Sequence, residues 1–199
     1  MDGNPSHTTN GTTNKSQEIS DYLTYAQMNL INAFRHNVFQ LVMWSRSLVN
    51  VIASDLKSIE AVTRKIHTMP TLFYNSVRPY LGELTAQAYQ DLLFQHILIF
   101  TKIIYGLKSG DRQEVDSNIA AWYQNADDMA NFLAQNNLYW DREQWRLLLY
   151  SYLELTIRET VALLSEDYEN GILYYDRLQD LSLMIADYMS RGLMQNVQS

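Results

Sequence analysis

Apolar side chains recur three and four residues apart along almost the whole chain, and this spacing constrains the fold more than any other feature. The first stripe reads Ile31, Phe34, Val38, Leu41, Ser45, Leu48 and Ile52. Positions spaced in this way lie on one face of an α-helix. No stretch rich in Val, Ile and Thr alternates with polar residues, as a half-buried strand would. The sequence therefore predicts an all-α protein.

Capping residues, prolines and glycines divide the pattern into six predicted helices. Thr24 and Gln27 have the form of a capping box, and Pro70 is expected to kink or split the second helix. Four residues are expected to close helices: Pro79, Gly82, Gly110 and Gly192. The predicted ranges are 24–54, 58–80, 85–108, 111–135, 142–166 and 170–191. Short connections between them predict an antiparallel helical bundle.

The first 20 residues have a different composition from the rest of the chain. They are rich in Thr, Asn, Ser and Gly and contain almost no large apolar side chain. Such a segment cannot bury enough surface to offset the entropy that it loses on ordering. We expect a disordered tail over residues 1–20 and a single helical-bundle domain over residues 21–199.

Charge and composition exclude several functions. The net charge is −7 and no cluster of Lys and Arg occurs, which argues against nucleic-acid binding. The absence of cysteine excludes disulfides and thiolate metal sites. The most apolar stretch, residues 92–107, is interrupted by polar side chains and is too short for a membrane span. With no apolar signal segment at the N-terminus, these features predict a cytoplasmic protein.

Similar segments recur at nearly even spacing. Leu41-Val-Met-Trp-Ser-Arg46, His96-Ile-Leu-Ile-Phe-Thr101 and Tyr152-Leu-Glu-Leu-Thr-Ile157 begin 55 and 56 residues apart. A short turn and a partner helix follow each of them. This spacing predicts three helical hairpins around a pseudo-threefold axis, with Leu41, His96 and Tyr152 converging near the bundle centre. The alternative is that amphipathic helices of any origin look alike at this level.

Several of these segments carry a resemblance to a known family. They are Trp44-Ser-Arg46, Pro79-Tyr-Leu-Gly82, His96-Ile-Leu-Ile99, Trp122-Tyr-Gln-Asn-Ala-Asp127, and Leu153-Glu-Leu-Thr156 with Glu159. Over about residues 24–195 the chain resembles a family of uncharacterised bacterial all-helical proteins, some of which carry an acetylglutamate kinase label. The resemblance implies a histidine opening each of three motifs and an acidic residue in each partner helix.

The chain departs from this family pattern in two of the three hairpins. Leu41 and Tyr152 stand where the resemblance implies histidines, and Leu72 stands where it implies an acidic residue. Only the middle hairpin keeps both residues, as His96 and Asp127. In the third hairpin the acidic residue remains as Asp187.

The motifs of three enzyme classes are missing. No glycine-rich phosphate loop supports a kinase, and no Glu stands three residues before a His, as a di-iron bundle requires. The Gly-x-Ser-x-Gly nucleophile elbow of serine hydrolases is missing too.

One candidate polar site remains, centred on His96. His96 is 14 residues before Gly110 and Asp127 is 17 after it, so the two lie at similar height in an antiparallel hairpin. They are candidates for a hydrogen-bonded pair that serves as a ligand or acid/base site, or for a purely structural core pair. Further candidates for this polar core are Tyr152, Thr156, Glu159, Asp187 and Arg46, and Arg46 is expected to pair with Glu159 or to bind an anion.

The sequence favours a non-enzymatic helical-bundle protein that binds a partner or a small ligand, without naming a cofactor. The alternative is a metal- or ligand-dependent enzyme that uses His96 and Asp127. A protein partner or homo-oligomerisation is open. We expect no stoichiometric transition metal, because the core offers too few well-placed ligands.

Overall fold

Seven α-helices and no strand make up residues 23–198, the part of the chain that the computed structural model describes. They are α1 (Tyr25–Ala53), α2 (Ile59–Ile66), α3 (Met69–Leu81), α4 (Glu83–Ser109), α5 (Arg112–Asn136), α6 (Arg142–Leu164) and α7 (Tyr168–Gln198). The all-α prediction is confirmed. The expected tail, residues 1–20, lies outside the described residues.

Three helices begin at the polar caps that the sequence predicts. Thr24 and Gln27 form the capping box of α1, with Thr24 Oγ1 accepting from the Gln27 backbone N–H at 3.2 Å. Asp111 caps α5 by accepting from the backbone N–H of Glu114 at 3.0 Å. Asp141 caps α6 in the same way. Each cap satisfies an N–H group that has no partner within its own helix.

The second predicted helix is split into α2 and α3, one of the two outcomes expected for Pro70. Pro70 lies in the first turn of α3, where its missing N–H would have had no helical partner. Pro79 was expected to help close this helix and instead lies inside it. Gly82 ends α3 with a φ of 81°, a conformation that side chains disfavour.

The prediction that Gly192 stops the last helix is wrong, because α7 continues to Gln198. The glycine is required for packing. A Cβ at position 192 would lie 1.9 Å from Trp140 Nε1 and 2.4 Å from its Cδ1. The same indole N–H donates to the backbone oxygen of Tyr188 at 3.3 Å. Gly192 therefore lets the α5–α6 loop lie against α7.

The long helices form an inner group and an outer group. The inner helices α1, α4 and α6 contact one another, and each packs against the outer helix that follows it, α3, α5 or α7. Further contacts between α3 and α4, between α5 and α6, and between α7 and α1 close the ring. This arrangement is the predicted set of three hairpins around one axis.

Inner-helix side chains that are 55 and 56 residues apart in sequence are buried in matching sets, and one of these sets lines a shared space at the axis. One buried set is Phe34, Tyr89 and Trp145, and the next is Val38, Leu93 and Leu149. Seven residues separate Phe34 from Leu41, the start of the first repeated segment. The helices are thus aligned in register, which the spacing alone predicted. Among residues 23–198, no helix has the length and apolar character needed to cross a bilayer.

Replacing Gly192 with Ala should destabilise the protein, because the new methyl group must displace the Trp140 indole. Overpacking of this kind costs about 1–3 kcal/mol, more than the roughly 0.5–1 kcal/mol that alanine adds in a helix interior. Gly171→Ala is the matched control in α7, since its Cβ would meet only the side chain of Leu163, at 3.1 Å. Urea unfolding followed by circular dichroism should rank Gly192→Ala well below Gly171→Ala. Equal stabilities would contradict the packing role of Gly192.

Candidate ligand site in the bundle core

A cavity of about 40 Å³ lies where the three inner helices meet. Its lining is Val38, Leu41, Phe73, Tyr89, Leu93, His96, Met129, Leu133, Trp145, Leu149, Tyr152 and Ile185. Leu41, His96 and Tyr152, the residues that open the repeated segments, all line it, so the predicted convergence is confirmed. A single water needs roughly 10–15 Å³ of such space, and an engineered cavity that accepts benzene has roughly 150 Å³. The space therefore suits a few non-hydrogen atoms.

The hydrogen bonds around His96, a polar residue of this cavity, define which of its ring nitrogens carries the proton. Its Nδ1 lies 2.9 Å from Oδ1 of Asn125 on α5. The amide nitrogen of Asn125 donates to the backbone oxygen of Leu92 at 3.2 Å, so the amide oxygen must face the imidazole. Nδ1 of His96 therefore carries the proton and donates it to Asn125. Nε2 is then left with a free lone pair that accepts hydrogen bonds.

Burial keeps His96 uncharged. It lowers the pKa of the imidazole to about 4, and the hydrogen bond to Asn125 opposes this effect only in part. The ring packs against Trp122 at 4.8 Å and against Tyr152 at 6.2 Å between ring centroids. His96 is thus a neutral, fixed hydrogen-bond acceptor at neutral pH.

The expected hydrogen bond between His96 and Asp127 is not formed, and that prediction is wrong. Asp127 accepts from Arg146 at 3.0 Å and from the hydroxyl of Tyr150 at 3.0 Å, both on α6. The two predicted partners lie at similar height, but Asp127 points away from the axis towards the neighbouring hairpin. Sequence reasoning missed Asn125, although it is three residues after Trp122 and four before Met129 on the apolar stripe.

Asp127 and Asp187 instead belong to a ring of contacts between hairpins. Asp187 on α7 receives two hydrogen bonds from Arg35 on α1, at 2.6 and 2.7 Å. Arg35, Gln90 and Arg146 are 55 and 56 residues apart, and each contacts the outer helix of the preceding hairpin. At the junction without an acidic residue, Gln90 donates to the hydroxyl of Thr71 at 3.0 Å. The recurring acidic residues therefore join hairpins, away from the cavity.

Tyr152 and Thr156, two further candidates for the polar core, are both buried on α6. Thr156 donates its hydroxyl proton to the backbone oxygen of Tyr152 at 2.8 Å. Burial raises the pKa of Tyr152 to about 12, while hydrogen bonding to Ser45 and Thr156 acts in the opposite direction. The Tyr152 hydroxyl therefore keeps its proton. Ser45, the one polar residue of the first stripe, was the sequence signal for this neighbour.

Arg46 and Glu159 form the ion pair that the sequence offered as one of two alternatives. Nη1 of Arg46 lies 2.5 Å from Oε1 of Glu159 and also donates to the backbone oxygen of Gly171 at 3.1 Å. The guanidinium stacks on Tyr175 at 4.5 Å from the ring centroid. Burial nevertheless raises the pKa of Glu159 to about 7, with Arg46 opposing the change.

The candidate residues thus divide into separate groups. His96 and Tyr152 reach the cavity, Arg46 and Glu159 pair between α1 and α6, and Asp127 and Asp187 join hairpins. Within residues 23–198 no three His, Asp or Glu side chains gather closely enough to hold a metal ion. The chemistry available at the cavity is therefore hydrogen bonding within apolar walls.

No protein-family model matches the chain, and neither the curated proteins nor the solved structures contain a match to it. The resemblance to the family of uncharacterised bacterial all-helical proteins stays a prediction from the sequence.

Changing Thr71 to Asp together with Gln90 to Arg should create an ion pair between the first and second hairpins, where Gln90 now donates to Thr71. Half-exposed pairs of this kind are worth about 0.2–1 kcal/mol and are weakened by salt. A double-mutant cycle of unfolding free energies should show favourable coupling at low salt that fades at high salt. If the changes in unfolding free energy of the two single variants simply add, positions 71 and 90 are not arranged like Asp127 and Arg146.

The burial of Glu159, which its pairing with Arg46 only partly offsets, should make stability depend on pH. Because the folded-state pKa of Glu159 is raised from 4.5 to about 7, the folded protein binds this proton more tightly than the unfolded chain does. Stability is full below about pH 4.5 and falls as pH rises towards 7, by about 1.4 kcal/mol for each unit by which the pKa is raised. Glu159→Gln should remove this fall.

Glu154→Gln, at an exposed α6 carboxylate paired with Arg158, should keep the fall and serves as the control. Unfolding free energies of the parent and both variants are compared at pH 5 and pH 8. The lowered pKa of His96 also makes stability depend on pH, but its effect is the same in all three proteins and cancels. An identical pH dependence in the parent and the Glu159→Gln variant would show that the carboxyl titrates normally.

Proposed function

We propose that this protein binds a small, largely apolar molecule in the cavity at the bundle axis. The observation that carries the proposal is the cavity itself, which lies among all three hairpins and has apolar walls around the neutral imidazole of His96. Ligand sites in helical bundles are commonly built in this way, from inward-facing side chains of several helices.

The walls define the kind of molecule that fits. Val38, Leu93 and Leu149 form one layer of the lining, and a charged group placed against them would lose its hydration without compensation. The flexible side chain of Met129 also lines the cavity and can adjust to different shapes. The expected occupant is therefore neutral and small.

The alternative of an enzyme using His96 and Asp127 has less support, because Asp127 accepts hydrogen bonds from Arg146 and Tyr150. We further propose that the three hairpins are an internal repeat whose sequences have diverged. The matched positions of Arg35, Gln90 and Arg146 support this reading.

The second candidate function is the binding of a protein partner or a second copy of the chain, at a surface away from the cavity. The four most exposed large apolar side chains of the described residues are Leu138, Leu84, Tyr25 and Leu147. They all lie at the end of the bundle where α1, α4 and α6 begin. Their shared location at one end of the bundle is the observation that favours protein contacts there, and such binding would leave the cavity untouched.

Xenon, an apolar probe of small cavities, should enter the bundle core. In methyl-labelled protein under xenon pressure, the methyl signals of Val38, Leu93 and Leu149 should shift, and those of Leu48 and Val49 should not. Leu41→Phe should fill the space and abolish these shifts, whereas Leu147→Phe, a matched change at an exposed position, should preserve them. Absence of any shift in the parent protein would refute the proposal.

A further inference from the structure

The buried side chain of Asn125 determines whether His96 presents a hydrogen-bond donor or an acceptor to the cavity. Because Asn125 gives its N–H to the Leu92 carbonyl, it can offer His96 only an oxygen, and the imidazole must use its Nδ1 proton there. The ring edge that carries Nε2 is left as an acceptor.

Three other side chains with polar groups line the cavity: Tyr89, Trp145 and Tyr152. Ser45 and Thr156 lie close enough to the Tyr152 hydroxyl to lower its pKa, although burial has the larger, opposite effect. The indole N–H of Trp145 has no partner within the described residues, but it is buried so completely that a water-sized molecule in the cavity cannot touch it. A tyrosine hydroxyl can both donate and accept a hydrogen bond, so neither Tyr89 nor Tyr152 distinguishes a donor from an acceptor, whereas Nε2 of His96 can only accept. His96 is therefore the group that can choose between these occupants.

We propose that the cavity selects small neutral molecules that carry a hydrogen-bond donor, such as short alcohols, and that the donor binds Nε2 of His96. This inference rests on the proposed function and names its ligand class. A molecule of equal size that can only accept hydrogen bonds would leave Nε2 without a partner, and a buried acceptor without a partner is unfavourable.

Isopropanol and acetone form a matched pair for the test, since each has three carbons and one oxygen and only isopropanol donates. Each would be titrated into labelled full-length protein. The methyl signals of Val38, Leu93 and Leu149 report entry into the cavity, and the nitrogen signals of the four histidines report the hydrogen bond.

Isopropanol is expected to bind about three- to tenfold more tightly than acetone, the factor that corresponds to one neutral hydrogen bond. It should also shift the Nε2 signal of His96 in the direction of a hydrogen-bonded nitrogen, whereas acetone should not. His96→Leu should bring the ratio of affinities close to one. His67→Leu should keep the ratio, because His67 packs against Phe94 and does not line the cavity.

The outcomes separate this inference from the proposed function. If xenon enters but the two solvents bind equally, or neither binds, the cavity is a ligand site without donor selectivity and the inference is overturned. Tighter binding of acetone would also overturn it and would identify a donor, such as the Tyr89 hydroxyl, as the selecting group. If xenon and both solvents leave the cavity methyl signals unchanged, both proposals fail. The parent protein alone gives these answers, even if His96→Leu does not fold.

Discussion

The mutual burial of α1, α4 and α6 along one axis is the constraint on which the rest of the structure depends. Each of these helices must present one apolar face to the axis and another to its outer helix. A polar side chain placed on the axis is therefore stable only when the protein supplies most of its hydrogen-bond partners. Asn125 meets this need for His96, and Arg46 meets it for Glu159. The outer helices complete the burial and fix the polar partners in place.

The apolar stripes were enough to predict an all-helical chain, because burial at 3.6-residue periodicity requires little else. The even spacing of the repeated segments correctly brought Leu41, His96 and Tyr152 together. The His96–Asp127 pairing failed because equal height leaves rotation about the helix undefined. Asp127 is two residues from Asn125, a rotation of about 200° on a helix with 3.6 residues per turn. Asn125 faces the core, and Asp127 faces α6.

Local signals were also weaker than tertiary contacts at the helix ends. Gly192 has the character of a stop signal, yet the helix passes through it because the Trp140 indole occupies the space of a side chain. No property of the sequence near Gly192 points to a tryptophan 52 residues earlier. Pro79, in contrast, could be placed only approximately, since a proline interrupts a helix within a turn of its own position rather than at a defined residue.

The contact of α7 with α1 has a consequence for the time course of synthesis. Arg35 and Asp187 are 152 residues apart, so a ribosome adding roughly 5–20 residues per second needs about 8–30 s to make the second after the first. Each hairpin can form locally as it emerges, but the face of α1 that α7 covers stays open throughout this interval. The nascent chain therefore leaves this buried face of α1 uncovered for the whole interval, and holding by a chaperone would matter most there.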